Sequence, residues 1–327
     1  MVAPVRPTRL PLVLSTAAFA IAIAAPLKAE EGDYSFWQTL VNLVSPPKAD
    51  NKVTAAQRTG SYPLLSNPSG FSDGFQPGRY DAWQTIQLAP STGAVCGDGS
   101  PFKFFVNRVA DTRNTIVYME GGGACWDYAS CTGQTGVRGA RNPNGIPDDY
   151  MSLLNPGASL VSPFVTRVSP FDAVKTQGWN MVYIPYCTGD IYSGDRVAVY
   201  DDPSGQNAPL VWHHNGVRNV RAVVSWLKDN LPRPTQMLST GCSAGGAGSL
   251  TSYHPLRRDL APTRSFLIDD SGPIFPTPKN GNPVDYPSQP LMALIRSAWG
   301  LDQPNGPLPY LASGLPQFDL DELGSLY

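Results

Sequence analysis

The sequence predicts an α/β protein built on a doubly wound, mostly parallel sheet. Three observations carry that prediction. Four short apolar runs lack polar alternation, as strands covered on both faces do. A stretch with helical apolar spacing separates the second run from the third. Glycine-rich turns follow two of the runs directly, a strand-then-turn order that suits an alternating sheet-and-helix fold.

The four runs are Thr115–Met119, Asn180–Ile184, Met237–Thr240 and Ser265–Asp269. Each is short and rich in β-branched or aromatic residues, which fit a pleated, enclosed surface. Two earlier runs, Trp83–Leu88 and Phe102–Val109, flank a Gly/Ser/Pro turn region and suit an antiparallel hairpin at a sheet edge. Between the second and third apolar runs, Val217, Val220, Val224 and Leu227 recur at helical spacing, with Arg218, Arg221 and Lys228 elsewhere on the cylinder. Pro232 and Pro234 stop that helix near Leu231.

The chain has 327 residues, ample for a large core, and 42% of them are hydrophobic. Charged residues make up only 15%, which argues against long exposed helices and coiled coils. The formal charge of −2 leaves no basic excess to neutralise phosphates, so nucleic acid is not an expected partner. Residues 1–29 have the layout of a secretory signal peptide. Arg6 and Arg9 precede an apolar run from Leu10 to Ala25, and small residues follow, with a cut expected near Ala24 or after Ala29. The run is short for a membrane span and Pro11 interrupts its start, so no span is expected after cleavage. Residues 30–75 read as a loose lead-in, within which 34–44 could form an amphipathic helix, and 76–327 as one domain. The expected location is extracellular, or periplasmic in the cell envelope. There the five cysteines meet an oxidising compartment. Cys125 and Cys131, six apart around a turn, are the candidate pair. With no Cys-x-x-Cys pattern and only three His, neither a metal site nor a cofactor is expected.

Two motifs carry chemistry. Gly241-Cys242-Ser243-Ala244-Gly245 fits G-x-S-x-G, with a strand before it and small residues after it. A sharp strand-to-helix turn needs small neighbours and lifts the serine hydroxyl to a helix N-terminus, where negative charge is favoured. Ser243 is thus the candidate nucleophile, against a mere packing turn; Cys242 should point back toward the sheet. The second motif, Glu120-Gly121-Gly122-Gly123-Ala124-Cys125-Trp126, follows another strand. Bare glycines let backbone N–H groups face a substrate. Gly122, Gly123 and Ala244 are the candidate oxyanion donors, against a plain turn or a phosphate loop that lacks its Lys-Ser/Thr. A third segment, residues 183–195, leaves a strand at the same sheet edge, and with Trp126 it offers Tyr186 and Asp190 as candidate substrate contacts, against an ordered surface loop.

Taken in order, Ala94-Val-Cys-Gly-Asp-Gly-Ser-Pro101, Val117-Tyr-Met-Glu-Gly-Gly-Gly-Ala-Cys125, Tyr186-Cys-Thr-Gly-Asp190 and Gly241-Cys-Ser-Ala-Gly-Gly246 resemble blocks of the pectin acetylesterase family, which includes the animal Notum carboxylesterases. The resemblance spans about residues 79–275. It implies an α/β-hydrolase fold and an exported serine esterase acting on an acylated small molecule or polysaccharide through an acyl-Ser243 intermediate. The triad partners are not identified. His213 and His214 precede the serine strand, in a segment expected to form a turn and helix entry. His254 lies eleven residues beyond Ser243, near the far end of its helix at about 1.5 Å per residue. Asp269 and Asp270 end the next strand, Asp270-Ser-Gly-Pro273 resembles the family's Asp-Ser-Gly turn, and Asp285, Asp302, Asp319 and Asp321 lack the setting of its catalytic Asp. The domain is therefore expected to lack a C-terminal strand and helix and to show little activity; the alternative is a non-catalytic secreted protein that binds glycan or acyl groups.

Overall fold

The computed structural model describes residues 66–135, 139–152, 162–167, 174–272, 277, 278 and 280–314. The leader, the 34–44 segment and the C-terminal Asp319 and Asp321 lie outside the described residues. The eight strands are β1 (Trp83–Gln87), β2 (Lys103–Asn107), β3 (Thr115–Met119), β4 (Asn180–Ile184), β5 (Arg196–Tyr200), β6 (Leu210–His214), β7 (Gln236–Cys242) and β8 (Arg264–Asp270). The helices that position the site are the single turn α1 (Tyr128–Cys131), α2 (Gly216–Asn230), α3 (Ala244–Leu260), α4 (Gln289–Ala298) and α5 (Pro307–Gly314).

Six strands form one sheet in the order β1-β2-β4-β3-β7-β8. The β1–β2 and β2–β4 pairs are antiparallel, and β4–β3, β3–β7 and β7–β8 are parallel. The hairpin therefore sits at an edge and the four apolar runs form the parallel part, as the sequence predicts. All five residues of β3 and of β4 are buried, which is why neither run alternates. The core packs Ile86, Phe104, Val106, Val117, Val182 and Tyr183 of the sheet with Val220, Val223 and Leu227 of α2.

Beyond this sheet, β5 and β6 pair antiparallel as a separate ribbon. His213 and His214 end β6 instead of forming a turn, and both are fully buried. The Nδ1 of each is used inside the fold: that of His213 lies 3.1 Å from the Gly97 carbonyl, and that of His214 lies 3.1 Å from the Thr188 carbonyl. A second apolar cluster, with Ile295 and Trp299 at α4 and Leu308 and Leu311 of α5, packs against Ala124 and Trp126.

Two disulfides are present. Cys125–Cys131 is the pair the sequence nominates, and Cys96–Cys187 is a second pair it left unassigned. Cys242 is a free thiol. Among the described residues, no helix is long and apolar enough to cross a membrane.

Candidate active site

The parallel register brings the two motifs together. Met119 stands opposite Ile184 on β4 and Gly241 on β7, so the chain leaving β3 as Glu120–Cys125 runs beside the chain leaving β7 at Ser243. These are carboxyl ends of neighbouring parallel strands, where open α/β sheets place their sites.

Ser243 occupies the turn between β7 and α3 with φ 57° and ψ −120°, a left-handed conformation that a side chain adopts only under constraint. The constraint is visible in its neighbours. A Cβ on Gly245 would lie 2.0 Å from the Met119 carbonyl oxygen, and one on Gly241 would lie 2.4 Å from the carbonyl oxygens of both Met119 and Gly245. Only bare backbone allows β3, β7 and the start of α3 to pass this closely. The Ser243 N–H donates to the Asp270 carbonyl at 2.8 Å, which fixes the turn to the end of β8. The result is an exposed hydroxyl at the N-terminus of a 17-residue helix.

The glycine run lies beside Ser243. A Cβ on Gly121 would lie 3.3 Å from Ser243 Cβ and 2.3 Å from the Cys242 carbonyl oxygen. At the two ends of the run, the Glu120 N–H donates to Ile184 and the Cys125 N–H to Gly189. Among the described residues, no acceptor meets the N–H groups of Gly121, Gly122, Gly123 and Ala124 between them. The N–H of Ala244, the first residue of α3, is likewise one of the donors that a helix leaves unpaired at its start. Gly123 has φ 91°, which only glycine takes without strain.

Glu120 anchors the run from beneath. It is 6% exposed, and its carboxylate accepts from the Asn142 side-chain amide at 3.1 Å, from the Tyr186 N–H at 3.0 Å and from the Tyr150 hydroxyl. Burial pushes its carboxyl above the ordinary range, opposed chiefly by Arg141, whose Nε lies 3.8 Å away. The thiol of Cys242, next to the serine, is raised by burial and by the nearby Asp270 carboxylate, which does not favour a reactive thiolate.

The candidate substrate contacts divide. Trp126 is half-buried, packed against the α4–α5 cluster, and keeps an exposed surface. Tyr186 and Asp190 are fully buried, and their polar atoms bond within the fold. The Tyr186 hydroxyl accepts the Ile191 N–H at 2.8 Å. The Asp190 carboxylate accepts from the Thr188 hydroxyl and from the N–H groups of Tyr192, Gly194 and Gly216, and burial raises its pKa to about 6. The residues that sequence reasoning missed are Glu120 and Tyr192. Glu120 was legible as the acid heading the glycine run; nothing local marks Tyr192.

Among the described residues, which include all three histidines, no imidazole bonds to Ser243. His254 lies far along α3, about 16 Å from the serine at the helical rise. The His214 Nδ1 can only donate to the Thr188 carbonyl, so its Nε2 accepts from the Tyr200 hydroxyl at 2.8 Å. Among the described residues, the one cluster with metal-ligand spacing is Cys125, Cys131 and His214, and the two sulfurs are already bonded to each other. A cleft of about 360 Å³ beside α4, lined by Arg196, Met292, Arg296 and Gln303, contains none of the Ser243 group.

A family model for pectinacetylesterases matches residues 79–280. Pectin acetylesterase 7 of Arabidopsis thaliana is 29% identical over 191 residues, covering 57% of this chain and 44% of that protein. The palmitoleoyl-protein carboxylesterase NOTUM of Drosophila melanogaster is 26% identical over 233 residues, covering 69% of this chain and 31% of that protein. The chain thus spans less than half the length of either relative. A solved structure of the Wnt deacylase Notum from Drosophila is similar at 23% identity and a TM-score of 0.43, covering 68% of this chain and 61% of that one.

Proposed function

The chain belongs to the pectinacetylesterase family, a family of carboxylic ester hydrolases, and from that premise we propose that it is an exported serine esterase. Its substrate is an acyl ester on a small molecule or polysaccharide, with an acetyl group as the first candidate by family. Ser243 Oγ attacks the ester carbonyl carbon, and the carbonyl oxygen takes up the electron pair. The N–H groups of Ala244 and of Gly122 or Gly123 stabilise that oxyanion. Collapse expels the alcohol and leaves an acyl-serine, which water hydrolyses. The single observation that carries this reading is the exposed Ser243, held at positive φ beside a row of N–H groups with no internal partner among the described residues.

The serine proton needs a base. None of the chain's three histidines bonds to Ser243, and each is placed elsewhere: two end β6 and one lies far along α3. We therefore expect slow turnover from this chain. The same observation favours the second reading, a glycan- or acyl-binding relative without catalysis. The two disulfides fit an oxidising compartment, extracellular or envelope.

A fluorophosphonate probe, which modifies activated serines, separates the readings. Labelling of the full chain that is lost in Ser243→Ala supports the esterase. An intact, folded chain that takes no label, yet binds an acetylated oligosaccharide in calorimetry, supports the binder and overturns the nucleophile assignment.

A further inference from the structure

Resting on the reading of Ser243 as nucleophile, we propose that Tyr192 is a positioning residue that sets the spacing between the two halves of the oxyanion hole. The two halves come from different elements. One is the glycine run after β3, and the other is the first N–H of α3. Their separation must hold within a fraction of an ångström for both to meet one oxygen. Tyr192 touches both elements.

Its hydroxyl lies 2.7 Å from the Glu120 carbonyl oxygen and 3.0 Å from that of Ile184. The Glu120 carbonyl is the backbone group directly before Gly121. The Ile184 carbonyl also accepts the Glu120 N–H at 3.0 Å, so the hydroxyl sits at the end of the β3–β4 ladder. At its other side the ring rests on α3: a Cβ on Gly248 would fall 2.2 Å from the ring Cδ2. Tyr192 is 2% exposed, so no substrate reaches it.

The loop that carries Tyr192 is built to hold it. Ile191 and Tyr192 both have positive φ, 47° and 64°, an unfavourable pair for side chains. The strain is held by contacts already described. Asp190 receives the Tyr192 N–H at 3.1 Å, and Tyr186 receives the N–H of Ile191. The Tyr186 and Tyr192 rings lie 5.0 Å apart, tilted by 40°. Asp190 also ties this loop to the first N–H of α2 through Gly216 at 2.8 Å. A phenylalanine would fill the same volume, yet only the hydroxyl reaches the carbonyl next to the glycine run. That difference separates positioning from packing.

The test is Tyr192→Phe in the full chain, read by saturation kinetics of fluorophosphonate labelling at Ser243. The limiting rate is expected to fall at least about tenfold, with the half-saturating probe concentration unchanged and the melting temperature close to wild type. A merely structural role would lower the melting temperature and leave the limiting rate of the folded fraction intact; that outcome, or an unchanged rate, overturns the inference. Wild-type protein that takes no label at Ser243 removes the nucleophile reading instead, and the Tyr192 inference with it. Should Tyr192→Phe not fold, Gly248→Ala carries the test: it keeps the hydroxyl but forces the ring off α3. The same fall in limiting rate supports the spacing role, and an unchanged rate overturns it.

Discussion

His214, expected in a turn, is instead buried at the end of β6, where its environment sets its charge. Burial lowers its pKa from the ordinary 6.5 to about 3, although the bond from Nδ1 to the Thr188 carbonyl favours the charged ring. The folded state thus binds fewer protons than the unfolded state between about pH 3 and 6.5. Stability rises with pH wherever the unfolded chain holds more protons. The His214 contribution is therefore full above about pH 6.5 and is lost as the pH falls toward 3. Thermal melts between pH 7.5 and 4 check this: the slope of stability against pH should be shallower in His214→Gln than in wild type, whatever the variant's absolute stability. An equal slope would mean that the ring is protonated in place. At this scale the sequence was least informative. Tyr186 and Asp190 read as candidate substrate contacts, against an ordered surface loop, because residue type alone does not say which way a loop turns. Both are buried, beside the positive φ of Ile191 and Tyr192.

Elements were far more legible. The apolar runs at 115–119 and 180–184 coincide with β3 and β4, and the helix read over 216–231 with α2, because enclosed strands and amphipathic helices each leave a distinct period. The β5–β6 ribbon was missed for the converse reason. Arg196–Tyr200 has exposed positions at both Arg196 and Val199, and Leu210–His214 ends in two polar residues that only tertiary contacts bury. The strand-turn-helix unit of β7 and α3 was recognised from its small residues, and the close approach at Gly245 explains them. Gly245→Ala would set a methyl 2.0 Å from a backbone oxygen of β3, which cannot move without the sheet. We expect a loss of about 3 kcal/mol or more, at the upper end for overpacking, read from the urea midpoint. A loss below about 1 kcal/mol would show that β3 and α3 can part without cost.

For the whole molecule, the disulfides divide the work unequally. Cys96–Cys187 closes a segment of 91 residues and Cys125–Cys131 one of six. In the chain-entropy account these restrict the unfolded state by about 4–5 and about 2 kcal/mol respectively. Replacing Cys96 and Cys187 with Ser should therefore lower the urea midpoint more than replacing Cys125 and Cys131. Equal losses would mean that native contacts, not loop length, set the effect. The sequence nominated only the short pair, since proximity along the chain is visible there and proximity across ninety residues is not.

The short cystine also borders the glycine run. Cys125 ends the glycine run, and Cys187 accepts the Gly97 N–H three residues past β4. Redox history is thus written into the architecture of the mouth that would meet an ester. Polypeptide matured among thiols would lack the covalent tie between Cys125, at the close of that run, and the single helical turn that follows it.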